Sequence, residues 1–281
     1  LSQPRALTID EAIRYLRRHP EYSDLVRDAY LDKDVRAAAE RYRKSAEFAE
    51  VVKLIGPSLQ QSTVLDLGAG NGIAAYALAL AGARCVNALD PNPSDEVGIR
   101  ALRRLTADLP VFALLGLGER MPLRDESIDL VYIRQVLHHA SNLGLLLSES
   151  ARVLKRGGAL IACREHVVDD DKQLREFLQS HPVHQLAGGE HAFRLLEYLQ
   201  AIEASGLRVQ RVMRPWDTII NAFPAVRTNE ELRRYPVRLL ERKLGAAGSL
   251  IGHLPGIQRL VLWRLNHSQP GRLYSFLAVK P

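Results

Sequence analysis

Cysteine is nearly missing: Cys85 and Cys163 are the only two in 281 residues, far apart and set in apolar surroundings. That excludes a disulfide framework and a cysteine-based zinc site, and makes a reducing, cytoplasmic setting the expectation. Aromatic residues amount to 6% without an RNA-binding signature, leaving little capacity to stack single-stranded bases. The longest uncharged apolar run, Ile73 to Ala83, covers eleven residues, whereas a membrane-spanning helix needs about 20. The first residues set Arg5 and Asp10 around a short apolar patch and lack the h-region of a signal peptide, so neither a transmembrane nor a secreted protein is expected. There is no internal repeat and no low-complexity tract.

What is present is ordinary globular material, 47% hydrophobic and 25% charged, enough to bury a core as one large α/β domain or two small ones. The formal net charge is +6, which at first points to nucleic acid, a membrane surface or acidic ligands. Regional counting narrows this. Residues 1–60 hold 11 basic and 10 acidic side chains, residues 61–214 hold 17 and 18, and residues 215–281 hold 10 and 4. The excess belongs to the last 67 residues, a segment of the fold and not the whole molecule.

Leu7, Ile13, Leu16 and then Val51, Val52, Leu54 and Ile55 recur at helical spacing, with Pro20 and Gly56-Pro57 as breaks; residues 1–60 therefore read as an N-terminal helical cap. From Thr63 short apolar runs alternate with longer amphipathic ones: Val64–Leu67, Ala74–Ala81, Cys85–Leu89, Val97–Leu105, Val111–Leu115, Ile128–Ile133, Leu143–Leu154, Ala159–Cys163, Phe193–Ala204 and Val209–Met213. Strand alternating with helix predicts a parallel sheet covered on both faces. Gly82, Gly157-Gly158 and Gly206 each fall between a helical run and a strand, where a left-handed helix cap is wanted. Leu273–Val279 closes the chain as a last strand. The expected fold class is α/β, a Rossmann-like doubly wound sheet, mostly parallel with an antiparallel last strand. Residues 61–214 plus 272–281 would form this domain and residues 215–271 a helical insertion.

The most informative stretch is Val64-Leu65-Asp66-Leu67-Gly68-Ala69-Gly70-Asn71-Gly72, a buried strand running through glycines into a helix. Such a turn lets a ligand touch the backbone, and the helix N-terminus offers unpaired N–H groups to a carboxylate or phosphate. A dinucleotide fingerprint would place its third glycine or alanine at position 73, which is Ile73; NAD(P)-dependent oxidoreductase chemistry is thereby disfavoured but kept as an alternative. The next strand ends at Asp90, where a carboxylate can accept both hydroxyls of a ribose. Asp90-Pro91-Asn92-Pro93 is also good turn chemistry, so a capping role stays open.

These residues carry a resemblance. VLDLGAGNG (64–72), ALDPNP (88–93), GLGERMPLRDESIDLVYIRQVLHHASN (116–142) and ESARVLKRGGALIACREH (149–166) look like a class I S-adenosylmethionine-dependent methyltransferase, of the group that includes the ubiquinone/menaquinone-type enzymes. The resemblance runs from about Thr63 to Met213. It implies S-adenosyl-L-methionine as cofactor, with Gly68, Ala69, Gly70 and Gly72 under the methionine moiety, Asp66 organising its ammonium group, Asp90 and Pro91 at the ribose, Gly118 and Glu119 beside the adenine, and Gln135 at the methionine end. An acidic residue that often meets the adenine amino group in this family corresponds here to Leu117, with Glu119 as the substitute or backbone groups alone as readers.

Methyl transfer is an in-line displacement, so alignment and exclusion of water are the main tasks, performed beyond the carboxyl ends of the strands at Asp66–Gly72, Asp90, Arg134–His139 and Arg164–His166. His138-His139 opens the helix after the fourth strand in this reading, and an imidazole there can take a proton from an attacking hydroxyl, although Leu-His-His recurs in the resembling family across different acceptors. The catalytic candidates are His139, Glu165 and His166, the last two as a substrate-facing pair; structural ion pairing of Arg164 and Glu165 is the alternative. His166, His184 and His191 sit on different loops without ligand spacing, so no metal site is expected.

The turn Tyr132-Ile133-Arg134-Gln135 lacks the Asn/Asp-Pro-Pro-aromatic signature of enzymes that methylate amino groups of DNA bases, and no cysteine lies on an active-site loop. No nucleic-acid partner is expected, and a small-molecule, lipid-linked or sugar-like acceptor remains, methylated on oxygen more readily than nitrogen. Segment 227–266 joins Arg227, Arg233, Arg234, Arg238, Arg242, Lys243, Arg259 and Arg264 to an apolar side with Leu250, Leu254, Leu260 and Trp263. Three roles are open for it: a lid, a homodimer contact, or a peripheral membrane foot. A non-catalytic module that binds the cofactor is the alternative to an enzyme.

Overall fold

The computed structural model describes residues 6–267 and 269–281; the first five residues of the expected cap, Arg5 among them, lie outside the described residues. Four helices come first, α1 (Ile9–Arg18), α2 (Ser23–Asp28), α3 (Val35–Arg43) and α4 (Ala46–Ile55). Their starts follow from local chemistry. Thr8 and Glu11 form a reciprocal capping box, and the Asp34 and Ser45 side chains accept from Ala37 N–H and Phe48 N–H, each cap contributing about 1 kcal/mol.

The alternating region then gives β1 (Thr63–Leu67), α5 (Ile73–Leu80), β2 (Cys85–Asp90), α6 (Ile99–Leu105), β3 (Val111–Leu115), β4 (Ile128–Arg134), α7 (Leu143–Val153), β5 (Leu154–Val168), α8 (Asp171–Ser180), α9 (Pro182–Ala187), β6 (Phe193–Arg194), α10 (Leu195–Ala204) and β7 (Arg208–Met213). Three further helices, α11 (Ile219–Ala222), α12 (Asn229–Gly252) and α13 (Pro255–His267), precede β8 (Arg272–Val279). The sheet order is β3-β2-β1-β4-β5-β8-β7, with β6 beside β5. β8 runs antiparallel to β5 and β7, and the other pairs are parallel. This is the doubly wound α/β sheet the alternation predicts, last strand included.

Side-chain period two sorts β1 between two cores. Val64 joins Tyr42, Ala75, Leu78, Tyr132 and Cys163 on one face, whereas Leu65 and Leu67 join Val131, Leu147, Tyr198 and Phe276 on the other. Asp66 therefore projects to the face covered by α3–α5. Both neighbours of β1 are parallel to it, and the chain leaves β1 toward β2 on one side and reaches β4 on the other. Such a switch point opens a crevice beyond the strands' carboxyl ends.

The structure departs from the sequence reading in four places. Gly82 and Gly206 do follow α5 and α10 with φ of +107° and +87°, but Gly157 does not cap a helix. It lies inside β5, where pairing with β4 skips from Leu154 to Ala159. Segment 171–187, to which the sequence reading gave no element, is helical because the Asp170 and His181 side chains cap α8 and α9, the second led by Pro182. His138-His139 lie in a 3₁₀ turn, and α7 begins only at Leu143 under an Asn142 cap. α12 and α13 form a helical hairpin: α12 kinks at Gly245 (φ +62°), and a Cβ on Gly248 would meet the Leu240 carbonyl oxygen at 2.2 Å.

The cap and the sheet are tied by a buried ion pair. Glu47 of α4 accepts from Arg134 of β4, Oε1 to Nε at 2.8 Å and Oε2 to Nη2 at 3.3 Å, and the guanidinium lies over the Tyr30 and Tyr42 rings. Tyr42 and Tyr132 hydroxyls meet at 2.7 Å beside them. Removing one partner leaves an uncompensated buried charge. Glu47→Ala is expected to cost about 3–5 kcal/mol, read as a fall in the urea midpoint of unfolding.

Candidate functional site

The loop after β1 is shaped by backbone that only glycine adopts easily. Gly68, Gly70 and Gly72 have φ of +71°, +53° and +89°. A Cβ on Gly68 would stand 2.3 Å from Val136 Cγ2, while at Gly70 the nearest neighbour would be the Val97 carbonyl oxygen at 3.9 Å. The loop is thus wedged against the turn after β4 on one side and open at Gly70. Gly68 and Ala69 donate to the Leu89 carbonyl at 2.8 and 3.0 Å, which fixes the loop to β2. Asn71 Nδ2 donates to the Tyr30 carbonyl at 3.2 Å, which brings the helical cap onto it.

Asp66 and Asp90 flank this loop. Asp66 is buried, and its Oδ2 has no hydrogen-bond partner. Burial pushes its carboxyl up to about 7, with Asp90's charge adding to the effect and the Ala75 N–H and Arg134 opposing it. A buried carboxylate oxygen without a partner is costly, and a cation brought to it would relieve that cost. Asp90 accepts from Gly70 N–H through Oδ2 and from Asn92 N–H through Oδ1, both at 2.8 Å. It performs the turn-capping role left open by the sequence and also stands beside the open glycine. Burial raises its carboxyl, the two backbone donors opposing.

The remaining cofactor candidates are less uniform. Pro91 is exposed and Ala69 buried at the loop. Leu115 and Leu117 are exposed next to Gly118, an apolar flank suited to a planar base. Glu119 Oε1 accepts from the Ser141 and Asn142 N–H groups at 3.0 and 3.4 Å, so one of its oxygens anchors the start of α7. Gln135 is left-handed (φ +56°); its N–H donates to the Cys163 carbonyl and its Oε1 accepts from Arg134 Nη1.

The substrate-facing Glu165/His166 pair is not what the structure shows. Glu165 is fully buried and accepts from Val136 N–H (3.1 Å), His138 N–H (3.2 Å) and His138 Nδ1 (2.7 Å), so its carboxylate positions a turn. His166 Nδ1 meets the Gly271 carbonyl at 2.6 Å, its ring lies between His138 and Phe177, and burial beside His138 pushes it down to about 3, a poor general base. The alternative, structural ion pairing of Arg164 and Glu165, is what forms, each with a partner of its own: Glu165 with His138 at 2.7 Å and Arg164 Nε with Glu47 Oε1 at 4.0 Å, while Arg164 Nη1 donates to the Ile220 and Phe223 carbonyls. His139 is the most exposed of the three candidates, with 42% of its side chain exposed; His166 is partly exposed and Glu165 fully buried. Burial opposes charge on His138, but the Glu165 and Glu190 carboxylates raise it to about 9.

His191 packs edge-on against Phe193 and His184 lies in α9, so the histidines weighed in the sequence as ligands do not gather around His166. Among the described residues the ligand atoms that converge are those of His138, His139 and Glu190. Glu190 and His181 were missed because nothing in their spacing announces contact with a turn some 50 residues earlier. Glu47, the distant partner of Arg134, was missed for the same reason.

Residues 65–162 match the family model described as a methyltransferase domain. The chain carries a class I S-adenosylmethionine-dependent methyltransferase domain. Its relatives include a tRNA U34 carboxymethyltransferase of Alcanivorax borkumensis, 36% identical over 37% of this chain and 32% of that one. Others are the uncharacterized methyltransferase YcgJ of Bacillus subtilis, 30% identical over 50% and 56%, and a demethylmenaquinone methyltransferase of a Mycobacterium species, 38% identical over 39% and 43%. The chain thus spans from about a third to little over half of these relatives' lengths. In fold it is similar to the solved structure of YcgJ (TM-score 0.52, 19% identity, covering 83% of this chain and 97% of that one). It is also similar to the [4+2]-cyclase SpnF (TM-score 0.55, 17% identity, 99% and 98%). S-adenosyl-L-methionine is the cofactor of such a domain, and the orphaned Asp66 oxygen and the open face of Gly70 fit its cationic amino acid end.

Because Asp66's folded value of about 7 lies above the ordinary aspartate value of 3.8, the stability it contributes is complete below about 3.8 and is lost as pH rises through about 7. A cationic ligand needs the ionised carboxylate. Calorimetry should therefore show S-adenosylmethionine binding tighten roughly five- to tenfold from pH 6 to 7.5, a dependence that Asp66→Asn flattens.

Proposed function

We propose that this methyltransferase domain moves a methyl group from S-adenosyl-L-methionine to an oxygen, less readily a nitrogen, of a small or lipid-linked acceptor. The observation that carries the reading is the buried Asp66 oxygen without a partner, one residue before the strand end and beside a loop left open at Gly70. When bound, the cofactor supplies a sulfonium methyl group open to in-line attack. Asp66 binds and orients the ammonium end, and the Asp90 carboxylate, already held by two backbone N–H groups, presents its remaining acceptor capacity to the ribose hydroxyls. The cap, fastened through Tyr30 to Asn71, excludes water from the loop. His139, the exposed candidate, is the group placed to meet the acceptor. Ile73, in the position a dinucleotide fingerprint gives to glycine, is packed in the core, which favours this reading over hydride transfer.

The acceptor's lipid linkage rests on the insertion. In the α12–α13 hairpin Leu244, Leu250, Leu254, Leu260 and Trp263 are exposed, Leu250 at 77% and Trp263 at 58%. A lid would have buried this side on the domain. Arg233, Arg234, Arg238, Arg242, Lys243, Arg259 and Arg264 are exposed alongside, so the hairpin combines apolar tip and positive charge as an anionic lipid surface requires. No helix among the described residues is long and apolar enough to cross a membrane.

Calorimetry with S-adenosylmethionine should give micromolar binding that Asp90→Ala abolishes, followed by release of S-adenosylhomocysteine with the right acceptor. Absent binding would remove the reading, and binding without turnover on any screened acceptor class would leave a cofactor-binding module. In vesicle co-sedimentation the chain should bind anionic liposomes at low salt, and Leu250→Asp with Trp263→Asp should release it. A chain that ignores vesicles and sediments as a dimer through the same residues would instead make the hairpin a contact between copies.

A further inference from the structure

We propose that His138, His139 and Glu190 form a divalent-metal site of the zinc type where the turn after β4 meets the loop after α9. Each imidazole has its Nδ1 committed, that of His138 to Glu165 Oε2 at 2.7 Å and that of His139 to the Gly189 carbonyl at 3.1 Å. Both Nε2 atoms are left to act as ligands, and they face the same oxygen, Glu190 Oε2, at 3.6 and 3.7 Å. The ligand atoms of the three residues all lie within 4.8 Å of one another.

These separations decide between three arrangements. They exceed hydrogen-bond length, and Glu190 Oε2 is buried with no hydrogen-bond partner. They are also too short for a bridging water, whose two bonds hold their partners roughly 4.5 Å apart. Two ligands sharing one ion fit, since bonds of about 2.0–2.1 Å at near-tetrahedral angles place ligand atoms roughly 3.3–3.7 Å apart. The outer contacts fit as well: metal-bound histidines hand their second nitrogen to a carboxylate or a carbonyl, which fixes the ring and the tautomer. Glu165 and Gly189 are those partners here. His181 Nδ1 lies 3.7 Å from Glu190 Oε1 but accepts from His184 N–H, so that nitrogen is committed elsewhere and is not counted among the ligands.

Two imidazoles and one carboxylate suit zinc and its first-row neighbours and not magnesium, which prefers an all-oxygen shell. Three protein ligands leave a position for water or an acceptor oxygen, on the side where His139 is exposed. The site is a statement about metal binding and stands without the methyl-transfer reading.

The test uses the untagged full chain, stripped with chelator and titrated with zinc against a chromophoric competitor. The expected result is one zinc per chain, undisturbed by millimolar magnesium. Glu190→Gln and His139→Ala should each weaken zinc by at least about tenfold, and Glu165→Gln by roughly 10–100-fold through the outer contact, while His253→Ala, on the distant hairpin, binds as wild type. His139 is half exposed, so its alanine variant should keep its fold, checked by circular dichroism and by retained S-adenosylmethionine binding. A folded wild type that takes up no stoichiometric zinc, or Glu190→Gln and His139→Ala variants that bind it unchanged, overturns the site. Loss of cofactor binding with zinc binding intact would sink only the methyl-transfer reading.

Discussion

The buried carboxylate of Glu165 is the contact on which both halves of the site depend. It gathers two backbone N–H groups and one imidazole nitrogen from the turn 136–138. Val136 is thereby pressed against the position where Gly68 has no side chain, and His138 is aimed at Glu190. One end of the turn seats the cofactor loop and the other sets the histidine cluster. Charge-assisted bonds to a buried carboxylate are about twice as strong as neutral ones, and a residue so fully satisfied has no capacity left for substrate. Its importance lies in geometry.

Around this centre the protein keeps its charges in two different conditions. Glu47, Arg134 and Arg164 are enclosed between the cap and the strand ends, braced by the rings of Tyr30, Tyr42 and Phe223. Asp66 sits within reach of that field yet has one oxygen unpartnered. That orphaned oxygen lies where the glycine loop opens, and a buried polar group without a partner marks a place for a ligand. The family assignment and this physical reading converge on the same strand end from separate directions.

Much of this was legible from the chain alone, wherever the information was local. Strand–helix alternation placed most strands within a residue or two, though β5 extends five residues beyond Ala159–Cys163 at each end and β6 was absorbed into the run Phe193–Ala204; Asp66 to Gly72 announced a ligand loop because the conformation of a turn is written in its own residues. What stayed hidden was tertiary. Glu165 looked substrate-facing because it ends a strand beside the crevice, but strand bulges re-aim side chains, and here the pairing of β5 with β8 slips between Ala162 and Glu165. Glu190 sits in a polar loop whose partner is a turn far back in sequence, and no spacing rule reaches across that interval. The basic excess was correctly confined to the last quarter of the chain, yet only the fold could tell that its apolar companions face outward.

Both ends of the α12–α13 hairpin meet Trp216. Tyr235, near its start, stacks on the Trp216 ring at 4.1 Å, and Asn266, near its end, accepts from the Trp216 backbone N–H at 2.8 Å. From there a short relay runs inward: Asn221 takes a hydrogen bond from Ser275 of β8, and Ser275 takes one from the backbone of Arg164 at the end of β5. Leu232 and Tyr235 of the hairpin pack with Trp216 against Ile219, Ala222 and Val226, so the foot of the hairpin and the strand end next to Glu165 belong to one packed unit while the tip stands clear of it.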